Sequence, residues 1–229
     1  MPTVAKTTPL TRQKLLRHFR QVDPRMAELV ERAGPYRLQH TAKEAPFRYL
    51  ARAIIAQQIS GRAAATITER MISVCLASYE IPGTSTDKDY FPSPKALRAI
   101  SAERLRSAGV SSAKARALHD LADKALQGQI PDAKALNGLD DQQIIDELTV
   151  VRGVGPWTVQ MMLMFQLGRP DVMAATDYGV RKGFMLWYRK RRLPTPAELT
   201  QFGARWAPYR SAACWYLWRA LELKSAADA

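Results

Sequence analysis

The chain has 229 residues, 47% of them hydrophobic, enough to bury a core in one large domain or two small adjoining ones. Lys and Arg number 34 against 21 Asp and Glu, a net charge of +13, so the first partners to consider are polyanions: nucleic acid or an anionic membrane. Two cysteines (Cys75, Cys214) and three scattered histidines (His18, His40, His119) exclude a disulfide framework, a four-cysteine iron–sulfur or metal centre and most zinc hydrolases.

Residues 1–20 carry Lys6, Arg12, Lys14, Arg17 and Arg20 and no acid. This composition suits a basic arm, a transit peptide or an ordinary basic first helix, and its apolar content is too thin for a secretory signal. The expectation is a cytoplasmic protein. No stretch reaches the roughly 18 to 20 apolar residues of a membrane span, so no membrane partner is expected. Proline recurs where helices should start, at Asp23-Pro24, Ala45-Pro46, Ser93-Pro94, Gly155-Pro156, Thr195-Pro196 and Ala207-Pro208. The first helical position tolerates it because the missing N–H would have had no partner there. Thr195 and Glu198 have the spacing of a capping box. Apolar stripes of helical period run through Phe47, Leu50, Ile54 and Ile55, through Ile67, Met71, Val74 and Cys75, and through Leu118, Leu121, Ala122 and Ala125.

The pattern predicts helices over 11–20, 24–33, 46–59, 61–78, 94–99, 102–107, 112–127, 140–148, 156–167, 177–189, 196–205 and 208–222, with a long loop over 81–92. Only Leu148 to Val151 is briefly ambiguous with a strand. The fold class is all-α. The helix from Pro156 is apolar nearly all round, the pattern of a buried central helix, and its methionines read as core filler.

Chemistry concentrates between Asp140 and Lys182. Val151-Arg152-Gly153-Val154-Gly155 joins two helices, and Pro156 opens the second. Two glycines one residue apart permit a tight turn with positive φ and close backbone approach. The unpaired amides at the following helix start then make a phosphate site, and the charge of +13 favours that reading over a plain helix–helix turn. Asp177 stands at a helix start, where aspartate caps; its second oxygen can still serve a cleft. Arg189 to Arg192, four basic residues in a row, read as a solvated loop or, together with Lys182, as a track for a nucleic-acid backbone.

The run Leu148-x-x-Val151-Arg152-Gly153-Val154-Gly155-Pro156-Trp157-Thr158, followed by Thr176-Asp177-Tyr178, resembles the helix–hairpin–helix signature of the DNA glycosylase superfamily. The chain is most similar to its alkylpurine branch, the 3-methyladenine DNA glycosylase II type in its compact form. The stretches Arg52 to Ser60, Leu105 to Leu118 and Trp206 to Arg219 extend the resemblance over about residues 25–222.

The resemblance implies two helical subdomains with the hairpin of 148–158 and Asp177 at their cleft. Residues 1–44 and 166–229 would form one part and 45–165 the other. It implies a base-excision-repair enzyme that hydrolyses the N-glycosidic bond of alkylated purines in double-stranded DNA, with water as nucleophile. Asp177 matches the catalytic aspartate. Trp157, Trp218, Met161 and Tyr178 match the base pocket, an electron-rich aromatic one that holds a flipped cationic base. Related enzymes carry a tyrosine where Met161 stands. Gln57 and Gln58 match the motif that fills the vacated space, with Gln58 at the wedge position; the plain reading of this pair is a helix C-terminal turn. Gly153, Gly155 and Thr158 would hold a phosphate beside the lesion.

Trp157 replaces the lysine by which the superfamily's bifunctional members form a Schiff base, so a strand-cleaving lyase is disfavoured. The resemblance also implies a Na+ or K+ ion on the carbonyls of Thr149, Val151 and Gly153, no required cofactor, no iron–sulfur cluster, and a monomer acting on damaged double-stranded DNA. The rival readings are a non-catalytic helix–hairpin–helix DNA-binding module and a bifunctional glycosylase/lyase.

Overall fold

Most helices start on a side chain that caps them. In the computed structural model, which describes residues 10–38, 44–78 and 90–227, the elements are α1 (Arg12–Val22), α2 (Pro24–Ala33), α3 (Pro46–Ala56), α4 (Gly61–Ser78), α5 (Pro94–Ala99), α6 (Ala102–Ser107) and α7 (Ser112–Leu126), then α8 (Ala133–Asn137), α9 (Asp141–Leu148), α10 (Pro156–Phe165), α11 (Tyr178–Trp187), α12 (Pro196–Gly203), a 3-10 turn (Ala204–Trp206) and α13 (Arg210–Ala227). Among the described residues there is no strand. Thr11, Ser93, Ser101, Ser111 and Asp132 each accept the amide three residues on. Asp140 with Gln143 and Thr195 with Glu198 close reciprocal capping boxes. Each such cap satisfies an amide the helix itself cannot, and stabilises its element by about 1 kcal/mol.

The chain divides into two compact units. One combines α1 and α2 with everything from Leu163 onward; the other holds α3 to α9 and the first part of α10, through Met162. In the first unit α11 lies along α13 so tightly that a Cβ on Gly183 would stand 2.0 Å from the Leu217 carbonyl oxygen. Buried Asp23 ties this unit together. Its Oδ1 caps α2 at the Met26 amide (3.1 Å), and its Oδ2 accepts the Tyr188 hydroxyl (2.7 Å) and the Trp206 indole N–H (2.8 Å). Trp187 donates to the Arg25 carbonyl, and Trp215 meets Tyr36 edge-on.

The second unit packs the stripes of α3 and α7 together. Leu50, Ile54, Ile55, Leu118 and Leu121 are wholly buried, each stabilising the fold by about 1.5–3 kcal/mol. In α10 Val159, Met162, Leu163 and Met164 are sealed as its pattern requires, while Trp157 in its first turn is 44% exposed.

Several boundaries differ from the sequence pattern for local reasons. Helix α3 stops at Ala56 rather than 59, because the Lys114 ammonium takes the carbonyls of Ile55 and Gln57 and the chain turns there. Helix α13 starts at Arg210 rather than at Pro208, where the Asp171 carboxylate receives both the Arg210 amide and its guanidinium; the Ala207–Pro208 bond is cis. Helix α8 has five residues, too few for a periodic signal, and rests on the Asp132 cap. Most of the loop expected over 81–92, and His40, lie outside the described residues.

Candidate active site

Asp177 caps α11. Its Oδ1 accepts the Val180 amide at 2.7 Å and, from α13, the Trp218 indole N–H at 2.8 Å. One oxygen thus fixes the carboxylate's orientation through two neutral donors, and the side chain is half-buried. The Trp218 ring is held from a second side by Phe165, stacked at 5.8 Å between centroids and 20° between planes. Gly179 makes room for this arrangement: a Cβ there would lie 2.8 Å from Trp218 Cδ1 and 3.1 Å from Asp177 Oδ1. Tyr178, beside the aspartate, is 65% exposed, an aromatic surface the fold does not use for packing.

The hairpin between α9 and α10 is one tight turn. Gly153 has φ 77°, a left-handed conformation that a residue with a Cβ adopts only under strain. Gly155 is different: its φ is not positive, and a Cβ added there meets nothing within 4 Å. Conformational freedom is therefore needed at Gly153 alone, and at Gly155 the missing side chain leaves the backbone open to approach. Within the turn, the Val151 carbonyl takes the Val154 amide, and the Gly155 carbonyl takes the amides of Thr158 and Val159. The amides of Gly153 and Gly155 donate to no acceptor among the described residues. From α7, Asp120 Oδ2 accepts the Arg152 amide at 2.7 Å while its Oδ1 pairs with Lys124. Partial burial pushes the Asp120 carboxyl upward, but these donors outweigh it and hold its pKa below the ordinary aspartate value.

Against the hairpin lies a cavity of about 700 Å³. Tyr49, Ala53 and Ala56 on one face of α3 form one wall; Trp157, Thr158 and Met161 of α10 form another. Gln57, Gln58, Gly153 and Gly155 edge it. Seven of the residues singled out in the sequence thus line one space. Met161 is 9% exposed and Thr158 5%, so both are wall rather than surface. The glutamines differ in use. Gln57 Nε2 donates to the Gly153 carbonyl at 2.7 Å, whereas Gln58 is exposed with φ 60°, a conformation costing a non-glycine residue roughly 1–2 kcal/mol. Burial first, and then the charge of Glu44, hold the Tyr49 phenol well above its ordinary pKa, so it stays a neutral donor at the cavity wall.

A model of the HhH-GPD superfamily of base excision DNA repair proteins matches residues 51–208, which include the hairpin and Asp177. The chain belongs to this superfamily. It is 32% identical over 217 residues to DNA-3-methyladenine glycosylase 1 of Schizosaccharomyces pombe, covering 94% of this chain and 90% of that one. Its structure is similar to the 3-methyladenine DNA glycosylase of that yeast in complex with abasic DNA, with a TM-score of 0.71 over 90% of this chain and 95% of that one at 32% identity. It is also similar to a DNA-3-methyladenine glycosidase of Bacillus halodurans, with a TM-score of 0.76 over 96% and 92% of the two chains at 30% identity.

The remaining residues of this HhH-GPD chain have simpler surroundings. Lys182 on α11 is half-buried, and its ammonium makes no hydrogen bond or ion pair among the described residues. The basic run closes the end of α11: Arg189 has φ 50°, Lys190 donates its amide to the Met185 carbonyl, and Arg192 forks onto both oxygens of Glu198. Cys75 and Cys214 are buried thiols, and burial raises the pKa of Cys214 to about 12, so neither is a reactive thiolate. Among the described residues no three His, Cys, Asp or Glu side chains cluster as a metal site would, and no helix is long and apolar enough to cross a membrane. The sequence reading did not assign roles to Tyr49, Asp120, Phe165 or Gly179. Only Gly179 left a local signal, a glycine in the first turn of a helix that otherwise has no use for one.

Proposed function

We propose that this protein is a monofunctional DNA glycosylase that hydrolyses the N-glycosidic bond of alkylated purines, of the 3-methyladenine and 7-methylguanine type, in double-stranded DNA. The reading is carried by Asp177, a carboxylate oriented by two neutral donors on one of its oxygens. When the bond between deoxyribose C1′ and the purine nitrogen breaks, its electron pair leaves with the base, and a cationic alkylated purine departs neutral. Positive charge develops on the sugar. A carboxylate fixed beforehand stabilises that charge without reorganising. Water then bonds to C1′ and gives up a proton, with Asp177 orienting it or accepting the proton. The products are the free base and an intact strand with an abasic site.

Trp157 and Met161 supply an aromatic and a polarisable surface at the cavity wall, suited to a flat cationic base; cation–π attraction is worth about 0.5–2 kcal/mol in such a setting. Trp218 acts on Asp177 through its N–H, and Tyr178 beside the aspartate is exposed. A residue without an amine at position 157 forms no imine with the sugar, so β-elimination is not expected. The open amides of Gly153 and Gly155 suit a phosphate oxygen, and Gln58 fills the space the flipped nucleotide leaves. Buried Thr158 serves the cavity wall. The carbonyls of Thr149, Val151 and Gly153 are hard oxygen donors. Val151 and Gly153 each use one lone pair in a hydrogen bond and keep a second, which fits a shared Na+ or K+. Such an ion would add positive charge to the hairpin.

The test is a duplex containing 7-methylguanine or 3-methyladenine, with each reaction divided and half treated with alkali. Released base, with nicking only after alkali, is the expected outcome. Nicking without alkali turns the reading to a lyase, and no release from any alkylated purine reduces the protein to a DNA-binding module. Asp177→Asn should slow release at least about a hundredfold while DNA binding, followed by fluorescence anisotropy, persists.

A further inference from the structure

Helix α7 holds both loops that edge the cavity. In its first turn Lys114 sends its ammonium to the carbonyls of Ile55 (2.7 Å) and Gln57 (2.8 Å), the end of α3. Six residues on, Asp120 takes the Arg152 amide of the hairpin. Between them Ala117 lies under the hairpin, its Cβ 3.6 Å from where one on Gly153 would stand. Gln57 closes the loop by donating to the Gly153 carbonyl. The wedge turn and the hairpin are therefore one hydrogen-bonded assembly with α7 as its base.

The bond to the Gln57 carbonyl matters most. That carbonyl belongs to the peptide leading into Gln58, so the ammonium pins the plane about which the Gln58 φ turns. An exposed glutamine at φ 60° has no reason of its own to stay there. Bonds from an ammonium to carbonyls at a helix C-terminus are charge-assisted and favoured by the helix dipole. Partial burial of the group lowers the lysine's pKa from its ordinary value.

We propose that Lys114 is a positioning residue: it locks the Gln57–Gln58 turn in the shape that presents Gln58 to the duplex, so that extrusion of the lesion, rather than cleavage of its bond, depends on it. This rests on Gln58 being the wedge. Freed of the ammonium, the turn relaxes toward right-handed conformations, and insertion must first reverse that. A single strand has no paired stack to open, so its excision does not need the locked turn.

Lys114→Met keeps the apolar stem and removes the charge. Base release from one alkylated oligonucleotide, measured as single strand and as duplex, should fall roughly tenfold on the duplex and stay within about twofold on the single strand. Gln58→Ala should show the same asymmetry, and the double variant should lose no more than Gln58→Ala alone. Where the single strand is too poor a substrate to time, 2-aminopurine beside the lesion reports unstacking in the duplex, and its fluorescence rise on binding should shrink in both variants. If Lys114→Met fails to fold, Lys114→Arg, which retains the charge with different geometry, takes its place with a smaller expected asymmetry. Equal losses on both substrates with unchanged unstacking, or fully additive losses in the double variant, overturn the proposal. Gln58→Ala with an unchanged duplex-to-single-strand ratio removes the wedge and the proposal together. Failure of the glycosylase reading looks different, since the unmodified protein would then release no base from either substrate.

Discussion

Glycine serves opposite purposes in the two units. In the α11–α13 pair of the first, glycines are where the chain meets itself: Gly183 abuts the Leu217 backbone, and Gly179 lies under the Trp218 ring and the Asp177 carboxylate. At the hairpin of the second, Gly155 faces open space and its amide has no acceptor among the described residues. A glycine that lets backbone meet backbone belongs to folding. One that leaves backbone bare keeps an amide available to a ligand. Substituting each by alanine separates the two uses.

Gly183→Ala should have the largest effect on stability. A methyl 2.0 Å from a carbonyl oxygen forces α11 and α13 apart, with a loss of about 3 kcal/mol or more and a Tm lower by roughly 10 °C in a thermal melt. An unchanged Tm would mean that the close approach is not a feature of the folded protein. Gly179→Ala should divide stability from activity. Alanine favours a helix over glycine by about 1 kcal/mol, so Tm should move little. The displaced Trp218 indole, however, withdraws its bond from Asp177. Base release should slow by about ten- to a hundredfold, the 1.5–3 kcal/mol of a hydrogen bond to a charged group. Full turnover in this variant would show that the indole is dispensable. Gly155→Ala should be the mildest: Tm steady or slightly higher, since the methyl meets nothing and the unfolded chain loses freedom. Duplex affinity, by anisotropy, should weaken roughly tenfold if one amide–phosphate bond is blocked. Unchanged affinity would take Gly155 out of the DNA contact.

Much of this site was legible in the sequence because its parts are local. The hairpin is a run of five residues between two helices, and Asp177 is a capping residue at a helix start; both roles depend on neighbours three or four residues away. The apolar stripes of α3 and α7 marked the core for the same reason, since helical period is a local property. The turn at Gln57 and Gln58 falls inside the helix that the pattern draws over 46–59, because nothing between Ile54 and Ser60 announces that Lys114 will end it. Gly153 and Gly155 looked equivalent as letters and differ in the fold, since φ and open space are not written in spacing.

The sequence by itself determined the helical class, the hairpin turn at 151–155, the capping carboxylate at position 177 and the indole at position 157. The tertiary structure decided which partners those groups have. Trp218 reaches Asp177 across 41 positions, Lys114 reaches Gln57 across 57, and Asp120 reaches Arg152 across 32. Such bonds form because packed helices bring donors beside acceptors from distant parts of the chain, and a pairing over that separation has no period for the sequence to display.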